Sequence, residues 1–233
     1  MNIIEGKNII KDYGKQHILK NVSYAAKEGT FNVILGQSGS GKSTLLNILS
    51  GLMPPDKGQV LIKDKDIYKS ADSLLTVRRE YASNIFQDYL LLPDLTVMEN
   101  IKLGESKKKH DEKYFMEVVK ELNIENLLTR FPDELSGGQQ QRVAIARALM
   151  KKPSIVFCDE ATGALDEENS KIVVSILHKI KRDLNAAIIF TTHNNKIGKT
   201  ADRVTVIRDG EISEEIWNDV PLAPEDMDWG VEV

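Results

Sequence analysis

Residues 36–44 read GQSGSGKST, and this stretch constrains the fold more than any other because nearly every residue type in it has a mechanical task. The glycines Gly36, Gly39 and Gly41 let the backbone turn so that successive N–H groups face inward on an anion. An apolar run, FNVIL at 31–35, enters the loop as a strand, and a helix expected over 42–52 leaves it with its positive end toward the same anion. Lys42 reaches outer phosphates, and Ser43 offers its hydroxyl to a magnesium ion. Gln37, Ser38, Ser40 and Thr44 complete the loop that would hold the ligand. That ligand is read as a nucleoside triphosphate, and the strand and helix on either side distinguish the loop from a Gly/Ser linker.

The rest of the composition narrows the setting. A chain of 233 residues with 41% hydrophobic content suits one sizeable domain, alone or with a subdomain. Its net charge of −4 comes from interspersed acids and bases, so nucleic acid is not expected as a partner. Apolar runs such as 154–158 and 186–190 fall far short of the roughly 20 residues that span a bilayer. The opening MNIIEGKNIIKDYG lacks the pattern of an export signal, which points to the cytosol. Cys158, the single cysteine, sits in the apolar run IVFCD and reads as a small buried hydrophobe in a reducing compartment.

Along the chain, strands are expected at 3–10 and 16–25 around a Tyr13-Gly14 turn, then at 31–35 and 59–63. The pattern turns helical over about 89–150, with helices at 96–103, 112–122 and 139–150 and a charged joint, KKKHDEK, from Lys107; this reads as an inserted lobe. Strands resume at 154–159 and 186–192, separated by a helix whose Val173, Ile176, Leu177, Ile180 and Leu184 share one face. Strands alternating with helices imply a parallel sheet. After strands on either side of Asp209-Gly210, an acidic tail of about 217–233 is expected to lie loosely on the surface.

Two further stretches carry chemistry. In SIVFCDE, a buried strand delivers Asp159 and Glu160 to the edge where the phosphate loop also emerges. Asp159 is placed to hold magnesium through water, and Glu160 to polarise an attacking water as general base. An acid pair at a strand end equally describes a solvated turn, and the phosphate loop is what favours catalysis. In LSGGQ at 135–139, Ser136 offers a hydroxyl and Gly137 and Gly138 expose N–H groups at a helix start, which describes either a second anion site or a plain helix cap.

The ordered set GxxxxGKST, LSGGQ and a strand ending in DE resembles the ATP-binding cassette family, and the resemblance runs from Tyr13 to about Gly210. It implies an α/β fold: a P-loop NTPase core with a mostly parallel sheet, an antiparallel β subdomain and an inserted α-helical subdomain, together forming one nucleotide-binding domain over 1–233. It implies that Tyr13 stacks on adenine and that Gln87 touches magnesium and the lytic water. Leu90 to Leu92 either line a groove for a membrane partner or belong to the lobe core. Asp166, in Ala164-Leu165-Asp166, is implied to cross a dimer interface, and His193 to contact the γ-phosphate and brace Glu160. Ser136, Gly137, Gly138 and Gln139 are implied to meet ATP held by a second copy. Two departures stand out. Ala161 replaces the family's usual proline, which suggests a less rigid turn, and Asn194 follows His193 where an acid is common.

As a whole the resemblance implies an ATPase that uses ATP and Mg2+, forms a homodimer on ATP binding and drives a separate integral membrane permease from the inner face of the cell membrane. Its branch is most similar to macrolide export, lipoprotein release and antimicrobial-peptide resistance. A cell-division ATPase that signals to wall enzymes is an alternative. A soluble cassette acting on DNA or ribosomes is a weaker one, since the chain has no long coiled-coil insertion, second nucleotide-binding half or basic tail.

Overall fold

The computed structural model describes residues 1–105 and 111–229. Residues 107–110 of the charged joint and 230–233 of the tail lie outside these. Strands β1 (Asn2–Tyr13) and β2 (Gln16–Lys27) form an antiparallel hairpin. Strand β3 (Phe31–Leu35) leads through the glycine loop to α1 (Lys42–Leu49), which stops at Ser50 where the sequence suggested 52, because Gly51 turns left-handed at φ 78°. Strands β4 (Lys57–Ile62) and β5 (Lys65–Asp66) follow. Helix α2 (Ala71–Thr76) then runs through a π-helical turn at Val77–Tyr81 into β6 (Ala82–Phe86).

The helical lobe holds α3 (Val97–Lys102), α4 (Glu112–Glu121) and α5 (Gly137–Leu149). Beyond it come β7 (Ile155–Asp159), α6 (Glu167–Leu184), β8 (Ala187–Thr192), the short α7 (Asn195–Gly198), β9 (Arg203–Arg208) and β10 (Glu211–Trp217). Four strands form an antiparallel sheet in the order β2-β1-β4-β5. Six form the central sheet, β10-β9-β3-β8-β7-β6, parallel throughout except for the β9–β10 hairpin.

Strands β7 and β8 are apolar without alternation because both faces of the central sheet are covered. Side chains point to opposite faces in turn. Val156, Cys158, Ile188 and Phe190 therefore pack with the helical lobe and α6, while Ile155, Phe157, Ala187 and Ile189 pack with α1 and the antiparallel sheet. Cys158 is fully buried, and burial pushes its thiol well above the ordinary range, so it is inert. Strand β6 and α2 had no legible signal: β6 is five residues of mixed polarity, and it is fixed instead by pairing with β7 and by Ser83 Oγ donating to Ala148 O (2.6 Å).

The expectation of a loose tail does not hold for 221–229. Pro224 and Met227 are buried, and the 3-10 turn Pro224–Asp226 packs on α6. The apolar residues interspersed among the acids anchor it.

Helix α6 also buries His178, whose ring stacks on Phe31 at a centroid distance of 4.2 Å. Thr200 Oγ1 donates its proton to Ile197 O (2.9 Å), so His178 Nε2–H is the donor across the 3.1 Å contact with Thr200 Oγ1. Burial, reinforced by Lys181 and Arg182 and opposed by Asp202 and Glu225, lowers the imidazole to about 4. The folded state keeps this histidine neutral while the unfolded chain takes up a proton below about pH 6.5. Its contribution is complete above that pH and is lost as pH falls toward 4. Urea unfolding at pH 7.5 and 5.0 should show that wild type loses about 2 kcal/mol more than His178→Phe over this interval. Equal losses would contradict the assignment.

Candidate active site

Parallel pairing of β3 with β8 and β9 aligns Leu35 with Thr192 and Val206, so the loop after Leu35 emerges at the C-terminal edge of the central sheet. Gly41 caps α1 in a left-handed conformation at φ 104°, where a Cβ would press on Ile18 O and Leu19 Cδ2. No side chain caps α1 and no acid lies in its first turn, which leaves its N-terminal N–H groups to an external anion. Ser40 Oγ is buried without a partner in the chain, while Gln37, Ser38 and Gly39 are exposed. Lys42 is only 4% exposed, and its ammonium donates to Gly36 O (2.8 Å) and Gln37 O (2.9 Å). These features fit a phosphate chain.

The strand register brings the acids to the same edge. Asp159 of β7 pairs with Thr191 of β8 and Phe86 of β6. Its Oδ1 accepts from Ser43 Oγ (2.8 Å) and Thr191 Oγ1 (2.7 Å). Glu160 turns left-handed at φ 45°, held by its N–H donating to Thr191 O (3.1 Å) and Thr191 Oγ1 (3.2 Å). Such a conformation costs on the order of 1–3 kcal/mol outside glycine and persists only where its surroundings enforce it. It swings the carboxylate across the phosphate loop: Oε1 lies 3.8 Å from Lys42 Nζ and Oε2 3.5 Å from His193 Nδ1. Gln87, one residue past β6, places its amide beside Gly163, three residues after Glu160.

Ser43 Oγ and Asp159 Oδ1 are hard oxygen donors, which suits Mg2+. Among the described residues no cluster of three or more His, Cys, Asp or Glu could hold a metal ion, so a magnesium ion here would draw most of its ligands from substrate and water.

Other expected site residues stand apart from this group. Ser136 caps α5 in a reciprocal box, with Gln139 N donating to Ser136 Oγ (3.4 Å) and Ser136 N donating to Gln139 Oε1 (2.9 Å). Gly137 faces Tyr89 Oη, and Gly138 faces Asn169 Oδ1. Asp166 caps α6 and accepts from Asn169 N (2.8 Å). Tyr13 is half exposed at the hairpin end, with its hydroxyl on Met53 Sδ (3.0 Å). Leu91 packs on the core, while Leu90 and Leu92 are exposed. Thr191 was missed, although its place in AIIFTT, opposite the acid of a neighbouring strand, was available as a signal. Arg147 was missed as well: it donates to Leu90 O (2.6 Å) and Tyr89 O (2.8 Å), two successive left-handed residues that no sequence pattern announces.

The family profile described as ABC transporter matches residues 19–163. The chain belongs to the ABC transporter family. It is 41% identical to a putative ABC transporter ATP-binding protein of Mycoplasma pneumoniae over 98% of its own length, and it spans about half (50%) of that relative. Against the lipoprotein-releasing system ATP-binding protein LolD of Cytophaga hutchinsonii it is 38% identical, over 90% of this chain and 98% of LolD. A solved dimer of the ATP-binding cassette MJ0796, in a post-hydrolysis state with ADP and Pi, superimposes with a TM-score of 0.84 at 34% identity, over 92% of this chain and 98% of that one. The P-loop NTPase core expected from the sequence is the fold of this cassette.

Both departures from the family pattern have a local account. Without proline at Ala161, the turn is fixed by Gly163 N donating to Glu160 O (2.8 Å) and by the Thr191 bonds. Asn194 caps α7 by accepting from Lys196 N (2.9 Å), a task an acid would also perform. Because Thr191 Oγ1 serves both acids, Thr191→Val should lower stability by about 1–3 kcal/mol in urea melts. An unchanged midpoint would show that its hydroxyl supports neither.

Proposed function

We propose that this cassette hydrolyses ATP between two copies of itself and passes the resulting motion to a membrane permease. The observation that carries the reading is the position of the Glu160 carboxylate between the Lys42 ammonium and the His193 ring. Lys42 and the loop N–H groups bind the β- and γ-phosphates. Glu160 takes the proton of the attacking water, and His193 orients Glu160 and contacts the γ-phosphate. Asp159 and Ser43, tied to each other, and Gln87 form the oxygen-donor side of the site. When bound through these residues, Mg2+ neutralises charge on the phosphate oxygens. Tyr13 stacks on adenine.

Ser136, Gly137, Gly138 and Gln139 serve the ATP of the opposite copy, with Asp166 at the interface. Within the chain Gly137 faces Tyr89 and Leu165 and Gly138 faces Asn169, none of them in the phosphate loop, which supports a role across an interface. The dimeric state of the MJ0796 cassette supports the same arrangement. Because ADP lacks the terminal phosphate, cleavage removes the binding energy that favours the closed pair. In this reading one nucleotide-binding domain, with its helical subdomain at about 89–150, makes up the cassette. In the same reading a separate permease supplies the membrane path and the cassette sits peripherally at the inner face of the cell membrane; no helix among the described residues is long and apolar enough to cross a membrane. The similarities to LolD and to the bacitracin export ATP-binding protein BceA support the macrolide-export, lipoprotein-release and antimicrobial-peptide-resistance branch.

Glu160→Gln should retain ATP binding, cut turnover by ~10²–10⁴ and accumulate an ATP-dependent dimer in light scattering. Wild-type turnover in that variant would remove Glu160 from the mechanism. Ser136→Arg should abolish most hydrolysis while ATP still binds the monomer. Unchanged turnover in purified dimer would refute the role across the interface.

A further inference from the structure

The segment after β10 ties together the two helices that follow the loops this mechanism needs in register. His193 and Asn194 lead directly into α7, and residues 162–166 lead directly into α6. The chain past Trp217 first ties itself to the end of α7: Asn218 Nδ2 donates to Gly198 O (3.1 Å) and Ala201 O (2.6 Å), and Leu222 N donates to Lys199 O (3.0 Å). It then crosses to α6, where Lys171 Nζ donates to Glu225 O (3.3 Å) and where Pro224 and Met227 are buried. Pro221 and Pro224 restrict the backbone of this strap.

Its last described residue returns to the active-site side. Trp229 donates its indole N–H to Pro224 O (2.9 Å), which fixes the ring, and packs with Leu165 against the larger apolar cluster. The ring lines a cleft of about 520 Å³ together with Thr162, Gly163, Leu165, His193 and Asn194. One aromatic, held by its own hydrogen bond, therefore lines the same cleft as the loop that follows Glu160 and the loop that carries His193. An aromatic ring offers a large contact area with only two side-chain torsions, which suits a brace.

We infer that Trp229 is a positioning residue for ATP hydrolysis, holding the 162–166 loop and His193 in register with Glu160. The inference rests on the proposed ATPase reading. It acts on the geometry of the chemical step and leaves the phosphate loop untouched, so it governs kcat and spares KM. Displacement of a reacting group by about 1 Å costs up to ~10²-fold.

The test is steady-state ATPase kinetics of the full chain. Trp229→Ala should lower kcat about tenfold with KM for ATP within about twofold, and Trp229→Phe should restore most of the rate. An active wild type with unchanged kcat in Trp229→Ala would overturn the inference alone, as would a Trp229→Phe variant impaired as much as Trp229→Ala. An inactive wild type would instead overturn the ATPase reading. Should Trp229→Ala fail to fold, Trp217→Phe leaves Trp229 as the single tryptophan of the chain. Its emission should shift when Mg-ATP is added, because the bordering loops respond to nucleotide. Emission that stays constant at saturating Mg-ATP would overturn the inference.

Discussion

The burial of the Lys42 ammonium is the constraint around which the active edge is organised. A cation held at 4% exposure is costly unless its donors are used, and here Gly36 O and Gln37 O take two of them while the Glu160 carboxylate lies 3.8 Å away. Those carbonyls are available only because the glycine loop doubles back over the start of α1. Glu160 comes within reach only because its backbone adopts a left-handed turn pinned to Thr191. A lysine of the phosphate loop and an acid more than a hundred residues later are thus parts of one electrostatic unit. The parallel register of β3, β8 and β7 delivers both to the same end of the sheet.

Much of this was legible in the sequence, for physical reasons. Strands β7 and β8 are continuous apolar runs because the sheet is covered on both faces, and such runs need no alternation to be recognised. The glycines and Lys42 announce themselves because few other arrangements need those residue types at those spacings, and the acid pair gains its meaning from that loop. What stayed hidden depends on contacts between distant parts of the chain. Strand β6 exists because β7 is beside it, and the Tyr89-Leu90 turn because Arg147 holds both carbonyls. LSGGQ was ambiguous between a cap and an anion site, and Ser136 does cap its helix in the structure. That outcome is compatible with the other role, since the box joins Ser136 to Gln139 and uses neither the Gly137 nor the Gly138 N–H.

The tail gives the opposite lesson. Its acids and prolines suggested loose chain, yet Pro224, Met227 and Trp229 anchor it across α6 toward His193. Composition averaged over a segment conceals a few apolar anchors, and those anchors decide whether it packs. The strap ties the last strand of the central sheet to the end of α7 and to α6, and its Trp229 lines the same cleft as Thr162 and His193.

The central claim is that the groups around Lys42 form a single triphosphate site. A crystal structure of the hydrolysis-impaired Glu160→Gln chain with Mg-ATP tests it most directly. The account expects the γ-phosphate within hydrogen-bond reach of Lys42 Nζ and of His193, with the metal beside Ser43 and Asp159. Nucleotide bound elsewhere, or bound here with Lys42 still engaged only by Gly36 O and Gln37 O, would contradict it.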